Sequence, residues 1–534
     1  MSSLSERAQT HAYQRRWLIL AVLCFSLLVI VLDNTILNVA IPTIVRDLDA
    51  TNSQLQWMVD GYTLVFAGLL LTAGSLGDRF GRRGALQFGL VMFGLGSLAS
   101  AFASTADQLI ATRAFMGIGG AFIMPATLSI ITNLFPVQER GKAIGVWAGT
   151  AGLAGVLGPL TGGFLVEHFY WGSIFLVNIP IVILGLLAGV FLIPTSKDPS
   201  APRLDPIGAV LSIVGLTALL YGIIEAPQEG WGSPATMMTI GAGLVILVAF
   251  LVWEARSSHP MLDVRFFKNP RFSAASSGIM MVFFAMFGST FLITQYFQFV
   301  LGYSAWETGL RFLPVALCMM TFAPLSARFV SKVGTKLVVG TGLLLVTVGL
   351  GSMATLSVHS AYWPDIVVRM CMMATGMALT MAPATESIMS SLPLGKAGVG
   401  SAVNDTTRQV GGALGVAIIG SVLSSVYSTK VAEFLLGKPV PTGIKTQMEE
   451  SLGFAIAAGA KLPGLADVAR GAFVDGMHVG MLVAAAVALA GAIVAFAFLP
   501  ARASYGAEDV DPALLNAIAA APPPGTPDPA TAER

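Results

Sequence analysis

Charged side chains lie inside otherwise apolar segments, among them Asp33, Asp60, Arg113, Glu386, Asp405 and Arg408, with Arg369 readable either as a lock or as a snorkelling anchor. One such charge costs roughly 2.5–3.5 kcal/mol on insertion scales, so the few that persist usually mark ion pathways or proton relays. By residue counting, Asp33, Asp60 and Arg113 fall in the outer half of the membrane, and Asp405, Arg408 and Glu386 in the inner half. Burial disfavours the charged form of a carboxyl group, and a neighbouring guanidinium favours it. A pair such as Asp33 and Arg113 can therefore be poised to take up and release a proton. Asp60 offers a second acid, for proton uptake or for attracting a cation. The competing reading is an ion pair that serves architecture alone, and it is stronger for Asp405 and Arg408, three apart on one helix face. Trp57, Tyr62, Phe287, Phe291 and Tyr296 could line an apolar cavity suited to cations, or simply pack.

These residues need a membrane frame, and composition supplies it. Of 534 residues, 55% are hydrophobic and 11% charged, against about 25% charged in soluble domains. The net charge of +1 gives no sign of a nucleic-acid partner, and Cys24, Cys318 and Cys371 lie far apart in apolar runs, suggesting neither a disulfide framework nor a metal site. Fourteen apolar stretches have the length that spans a bilayer as a helix: 17–39, 54–76, 85–105, 107–132, 141–165, 171–194, 204–224, 235–253, 273–301, 308–330, 335–356, 364–386, 398–426 and 473–499. The expected fold class is an all-α membrane protein. The first stretch follows Arg15 and Arg16 without a small-residue cleavage site, so it reads as an uncleaved helix. Basic residues crowd the connections on one side, from Arg79, Arg82 and Arg83 to Lys332, Lys336 and Lys396; the short connections on the other side hold only Arg46 and Arg311. By the positive-inside rule both termini are cytoplasmic.

An internal repeat divides the chain. SLGDRFGRRGAL (75–86) resembles PLSARFVSKVGTKL (324–337), Arg113 and Gly120 match Arg369 and Gly376, and ERGKAIG (139–145) resembles PLGKAGVG (393–400), all at offsets of about 250 residues. The expected organisation is a cytoplasmic N-terminus (1–16), a six-helix half (17–194) and two inserted helices (195–260). A second six-helix half (261–500) follows, with a long outer loop at about 427–472, and then a disordered cytoplasmic tail (501–534). Paired halves of this kind alternate access around a site near the bilayer midplane.

The fifth stretch is rich in glycine. GVWAGTAGLAGVLGPLTGG (145–163) holds seven glycines and Pro159, although each glycine costs a helix roughly 1 kcal/mol relative to alanine. Gly145, Gly149, Gly152, Gly155, Gly158 and Gly162 recur every three or four residues, with Gly163 beside them, and are expected to line one broad side of the helix. A surface without side chains lets a neighbouring backbone approach closely. The functional reading makes it the face on which one half slides against the other, while Pro159 favours a bend.

Several of these segments together resemble the fourteen-helix drug:proton antiporter branch of the major facilitator superfamily. LDNTILNVAIP (32–42) resembles its first-helix signature, GSLGDRFGRRGAL (74–86) its loop between helices 2 and 3, LIATRAFMGIGGA (109–121) its fourth-helix signature, and GVLGPLTGG (155–163) the antiporter signature of its exporters. QWMVDGYTL (56–64), WGSIFLVNIP (171–180) and NDTTRQVGGALG (404–415) add to the likeness, which covers nearly the whole chain in order. The resemblance implies the major facilitator fold, two pseudo-symmetric six-helix halves plus the inserted pair. It assigns proton coupling to Asp33 and Arg113 and cation recognition to Asp60, and it implies a cross-half latch in the loop formed by Gly74, Gly77, Asp78, Arg79, Gly81, Arg82 and Arg83. One departure stands out, because Ala327 occupies the place of Asp78 in the second copy. The implied partners are a small amphipathic substrate, protons and membrane lipid, in a bacterial inner membrane, with no cofactor and no metal. The chain carries no nucleotide-binding glycine loop and no zinc-protease motif. The expectation is a proton-coupled exporter of amphipathic drugs, biocides or antibiotics; the alternatives are export of an endogenous lipid or secondary metabolite, solute import, or a membrane-embedded enzyme. Oligomeric state is not readable from the sequence.

Overall fold

A computed structural model describes residues 13–48, 52–197, 205–258, 260, 262–459 and 462–500. Most of the expected N-terminal segment and all of the 501–534 tail lie outside the described residues. Among the described residues, every regular element is a helix.

Among the described residues, fourteen helical spans are long and apolar enough to cross a membrane, some of them joining a short helical turn to the main helix labelled here. The main helices are α1 (Arg16–Leu48), α2 (Asn52–Phe80), α3 (Arg82–Ala101), α4 (Ala106–Leu134), α5 (Val137–His168), α6 (Asn178–Leu192), α7 (Pro206–Glu229), α8 (Pro234–Arg256), α9 (Pro270–Gln295), α10 (Leu313–Val333), α11 (Thr335–Met353), α12 (Val367–Ser390), α13 (Ala397–Leu435) and α14 (Leu465–Phe498). A helix closes all its backbone hydrogen bonds within one segment, as hydrocarbon demands. Local chemistry fixes several starts. Thr105 accepts from the N–H of Gln108 ahead of α4, and Asp205, Ser233 and Asn269 each cap a helix whose first residue is proline.

Packing repeats across the two halves. In the first, α2 packs on α4, α3 on α4, α1 on α5, α3 on α6 and α1 on α6; in the second, α10 packs on α12, α11 on α12, α9 on α13, α11 on α14 and α9 on α14. The halves meet along two reciprocal seams, α2 against α13 and α5 against α10. The inserted helices α7 and α8 pair with each other, and α7 lies against both α2 and α13, covering one seam. The insertion therefore breaks the pseudo-symmetry on one flank.

Two expectations are corrected in detail. The segment after residue 426 is not one long loop, because α13 continues to Leu435 and two short helices, Thr442–Glu450 and Leu452–Ala458, precede α14. These extensions are held by packing, with Tyr427 donating to the Met448 carbonyl at 3.1 Å. The cysteines are unpaired, but Cys318 on α10 and Cys371 on α12 are neighbours in space because those helices pack together.

Candidate functional site

Asp33, on α1, and Arg113, on α4, form a fully buried ion pair, both 0% exposed. Arg113 Nη1 donates to Asp33 Oδ2, and Arg113 Nε donates to the Met58 carbonyl on α2 at 3.1 Å. The guanidinium lies over the Tyr62 ring, 4.6 Å from its centroid, and Tyr62 stacks in turn on Phe66. Asp33 Oδ1 accepts from Asn178 Nδ2 at 3.0 Å, and the same nitrogen donates to Ser97 Oγ at 3.1 Å. Side chains from α1, α2, α3, α4 and α6 thus converge on one carboxylate. Sequence reasoning quoted the segment containing Asn178 but gave that residue no role. The available signal was its position as the one polar side chain in NIPIVILGLLAGVFL.

Asp60 lies on α2, but its side chain falls outside the described residues. Tyr62 is buried beneath Arg113 and does not line an open wall. Trp57 rests against Tyr221 of α7 with centroids 5.8 Å apart, and Tyr296 donates to the Ser357 carbonyl. Phe287 and Phe291 are partly exposed and lie beside Gly412 and Gly420 of α13. The five aromatics do not share one wall: α7 claims Trp57, the buried pair claims Tyr62 and the Ser357 carbonyl claims Tyr296, while Phe287 and Phe291 stand together against α13.

In the second half, Asp405 and Arg408 on α13 are buried and paired at 3.4 Å. Arg408 Nη2 donates to Thr385 Oγ1 at 3.0 Å, and its guanidinium lies between the rings of Trp147, on α5 in the other half, and Phe283 on α9, at 5.0 and 5.3 Å. This cation therefore bridges the halves. Glu386 is buried on α12, facing the region of Gly141.

The loop between α2 and α3 makes a second cross-half contact. Asp78 Oδ1 and Oδ2 accept from the N–H groups of Gly398 (2.9 Å) and Val399 (3.1 Å), the free donors in the first turn of α13. Arg82 Nε donates to Asp78 Oδ1 at 2.9 Å, and Arg82 Nη2 to the Gly395 carbonyl at 3.1 Å. Gly74 and Gly398 meet backbone to backbone, and a Cβ on Gly398 would stand 2.6 Å from the Gly74 carbonyl and 2.7 Å from Asp78. The other loop residues build the turn. Gly81 has φ +118°, a conformation side chains disfavour. Arg83 donates to the Ile193 carbonyl, Arg79 lies over Phe80, and Gly77 meets Ala85. Gly145 of α5 approaches Ala323 and Pro324 of α10 in the matching contact on the other seam, and a Cβ on Gly141 would stand 3.5 Å from the Ala327 methyl there. Carbon meets carbon at Ala327, where the first seam has a carboxylate on a helix end, and the buried Glu386 lies beside the same glycine.

The α5 glycines do not share one face. Gly145, Gly149 and Gly152 abut α10, with a Cβ on Gly145 falling 2.6 Å from the Ala323 carbonyl. Gly158 and Gly162 abut Thr35 and Ile36 of α1 instead. A step of three residues falls short of a full turn by about 60°, so the stripe has rotated onto α1 by Gly158. Among the described residues, no atom lies within 4 Å of a Cβ position at Gly155, between the two groups, and Trp306 alone, at 3.8 Å, does so at Gly163. The side chain of Pro159 lies outside the described residues.

The sequence profile of the Major Facilitator Superfamily matches residues 23–416. The chain belongs to this superfamily. The multidrug efflux pump LfrA of Mycolicibacterium smegmatis is 35% identical over 495 residues, covering 91% of this chain and 96% of LfrA. The tetracenomycin C resistance and export protein of Streptomyces glaucescens is 32% identical over 496 residues, covering 90% and 91%. The human organic anion transporter MFSD10 shares the fold, with a TM-score of 0.60 at 14% identity over 90% of this chain and 99% of that one. Family and fold are those of transporters, and the fourteen apolar helices make this a multi-pass membrane protein.

Proposed function

We propose that this chain is a proton-coupled antiporter, and not an enzyme, that expels small amphipathic drugs, biocides or antibiotics across a bacterial inner membrane with both termini cytoplasmic. The observation that carries the reading is the isolated Asp33–Arg113 pair, a titratable acid and a fixed cation with no solvent contact. Two relatives aligned over nearly their whole lengths bear the names of an efflux pump and an export protein, which supports the direction of transport.

In this reading Asp33 is protonated from outside and deprotonated towards the inside, with Arg113 favouring the charged form and Tyr62 holding the guanidinium in place. Asp78 on the α13 terminus and the Gly145 contact hold the cytoplasmic ends of the halves together, and Gly155 faces the open space beyond. That arrangement corresponds to the outward-facing state. Arg408 against Trp147 adds a cation–aromatic contact to the same closure. Because helix rocking must break all three contacts, their summed strength sets the population of this state. Substrate charge is read by Asp60.

The test is to add a lipophilic cation, tetraphenylphosphonium, to energised inside-out vesicles holding the purified chain. Exchange releases protons from the vesicle lumen in step with uptake of the cation. Uptake without proton movement would turn the reading to a uniporter.

A further inference from the structure

We infer that Asn178 is a positioning residue for proton transfer at Asp33, its amide turning over as the carboxyl group changes protonation. The inference rests on Asp33 carrying the coupled proton. Asn178 is fully buried in the first turn of α6. Its Nδ2 donates to Asp33 Oδ1 and to Ser97 Oγ, while Ser97 Oγ donates onward to the Phe175 carbonyl at 2.8 Å. The amide oxygen, Asn178 Oδ1, is buried and has no hydrogen-bond partner.

A charged carboxylate only accepts hydrogen bonds, whereas a neutral one carries an O–H that must be given an acceptor. Arg113 holds Oδ2 and has only donors to offer. Tyr62 of α2 faces the guanidinium with its ring, and the charged residues of α5, the other helix packed on α1, all lie near its two ends. Among the groups bonded to Asp33, the amide of Asn178 alone can both donate and accept. A half turn of that amide brings the idle Oδ1 to Asp33. The Ser97 hydroxyl, donor and acceptor alike, then rotates from the Phe175 carbonyl to donate to Oδ1. The turned Nδ2 takes the place of Oδ1, where it meets no bonded acceptor, so the amide serves the charged carboxylate better than the neutral one and favours release of the proton, while Oδ1 still accepts from the carboxyl when the proton returns.

The experiment measures tetraphenylphosphonium-induced proton release from proteoliposomes across pH, with Asn178→Leu compared against Asn178→Ser. Leucine has the branching of asparagine, though it is bulkier, and makes no hydrogen bond; serine is smaller but donates and accepts. Losing a hydrogen bond to the charged carboxylate disfavours its deprotonated form, and a shift of one pH unit corresponds to about 1.36 kcal/mol. Asn178→Leu should therefore shift the profile to the alkaline side by about one unit or more. Asn178→Ser should shift it less, and the affinity for the cation at alkaline pH should stay within about twofold of the parent. A profile unmoved by Asn178→Leu, or moved more by Asn178→Ser, would make the residue a packing element and overturn the inference. Should Asn178→Leu fail to insert, Asn178→Ala against Asn178→Ser gives the same comparison. A parent chain that takes up the cation without moving protons removes the coupling itself, and this inference with it.

Discussion

Asp33 is held through both oxygens, and the cation opposite it is fixed on three sides: by the carboxylate, by the Met58 carbonyl and by the Tyr62 ring. Lysine at position 113 would keep the charge but lose the planar fork that satisfies the last two together. Arg113→Lys is expected to insert normally and to lower substrate-driven proton release at least tenfold. Arg113→Ala, which leaves Asp33 without the charge that makes deprotonation favourable, should abolish it. Vesicle proton-release assays at equal protein amount decide this, and full activity in Arg113→Lys would reduce the guanidinium geometry to incidental packing. The two charges could be found in the sequence because charge is costly in apolar runs. Asn178 carried only the weak signal of a single amide in an apolar run, since an amide there costs less than a charge and its partner depends on how α6 crosses α1.

At the scale of elements, the glycines carry the seams. Gly145→Leu would press a side chain into the Ala323 carbonyl and Pro324, forcing α5 away from α10. Efflux is expected to fall below a tenth of the parent rate with membrane insertion retained, while Gly155→Ala, facing open space, should keep at least half. Equal loss in both variants would contradict the division of the stripe between α10 and α1. Gly398→Val would strike the Gly74 carbonyl and displace Asp78, and is expected to leave the cytoplasmic ends parted. Faster labelling there of an engineered cysteine would report the parting, and unchanged labelling would argue against the latch. The fourteen helices and their repeat were legible because apolar length and basic loops are properties of sequence. The glycine stripe was misread as one face because steps of three and four rotate it differently, and only the neighbours show where it turns. The extension of α13 was likewise hidden, because packing against Met448 and its helix, not apolarity, sustains it.

The whole molecule is two matched halves joined by unequal seams: one is covered by α7 and carries the Asp78 contact with the start of α13, and the other has Ala327 in the corresponding place. Its orientation can be tested on a chain with Cys24, Cys318 and Cys371 replaced. Gly84→Cys and Gly443→Cys place thiols in open positions on opposite faces. An impermeant thiol reagent on intact cells is expected to label only Gly443→Cys, and the reverse pattern would invert every assignment of side. The central claim, exchange of drug for a proton carried by Asp33, is tested most directly by Asp33→Asn, which keeps the size of the side chain but cannot titrate. Purified parent and variant are placed in proteoliposomes at equal protein amount, and proton release is followed on adding tetraphenylphosphonium. The account predicts release from the parent and none from Asp33→Asn, with the cation still bound. Undiminished release from Asp33→Asn would contradict it and move the coupling role to Asp60 or Asp405.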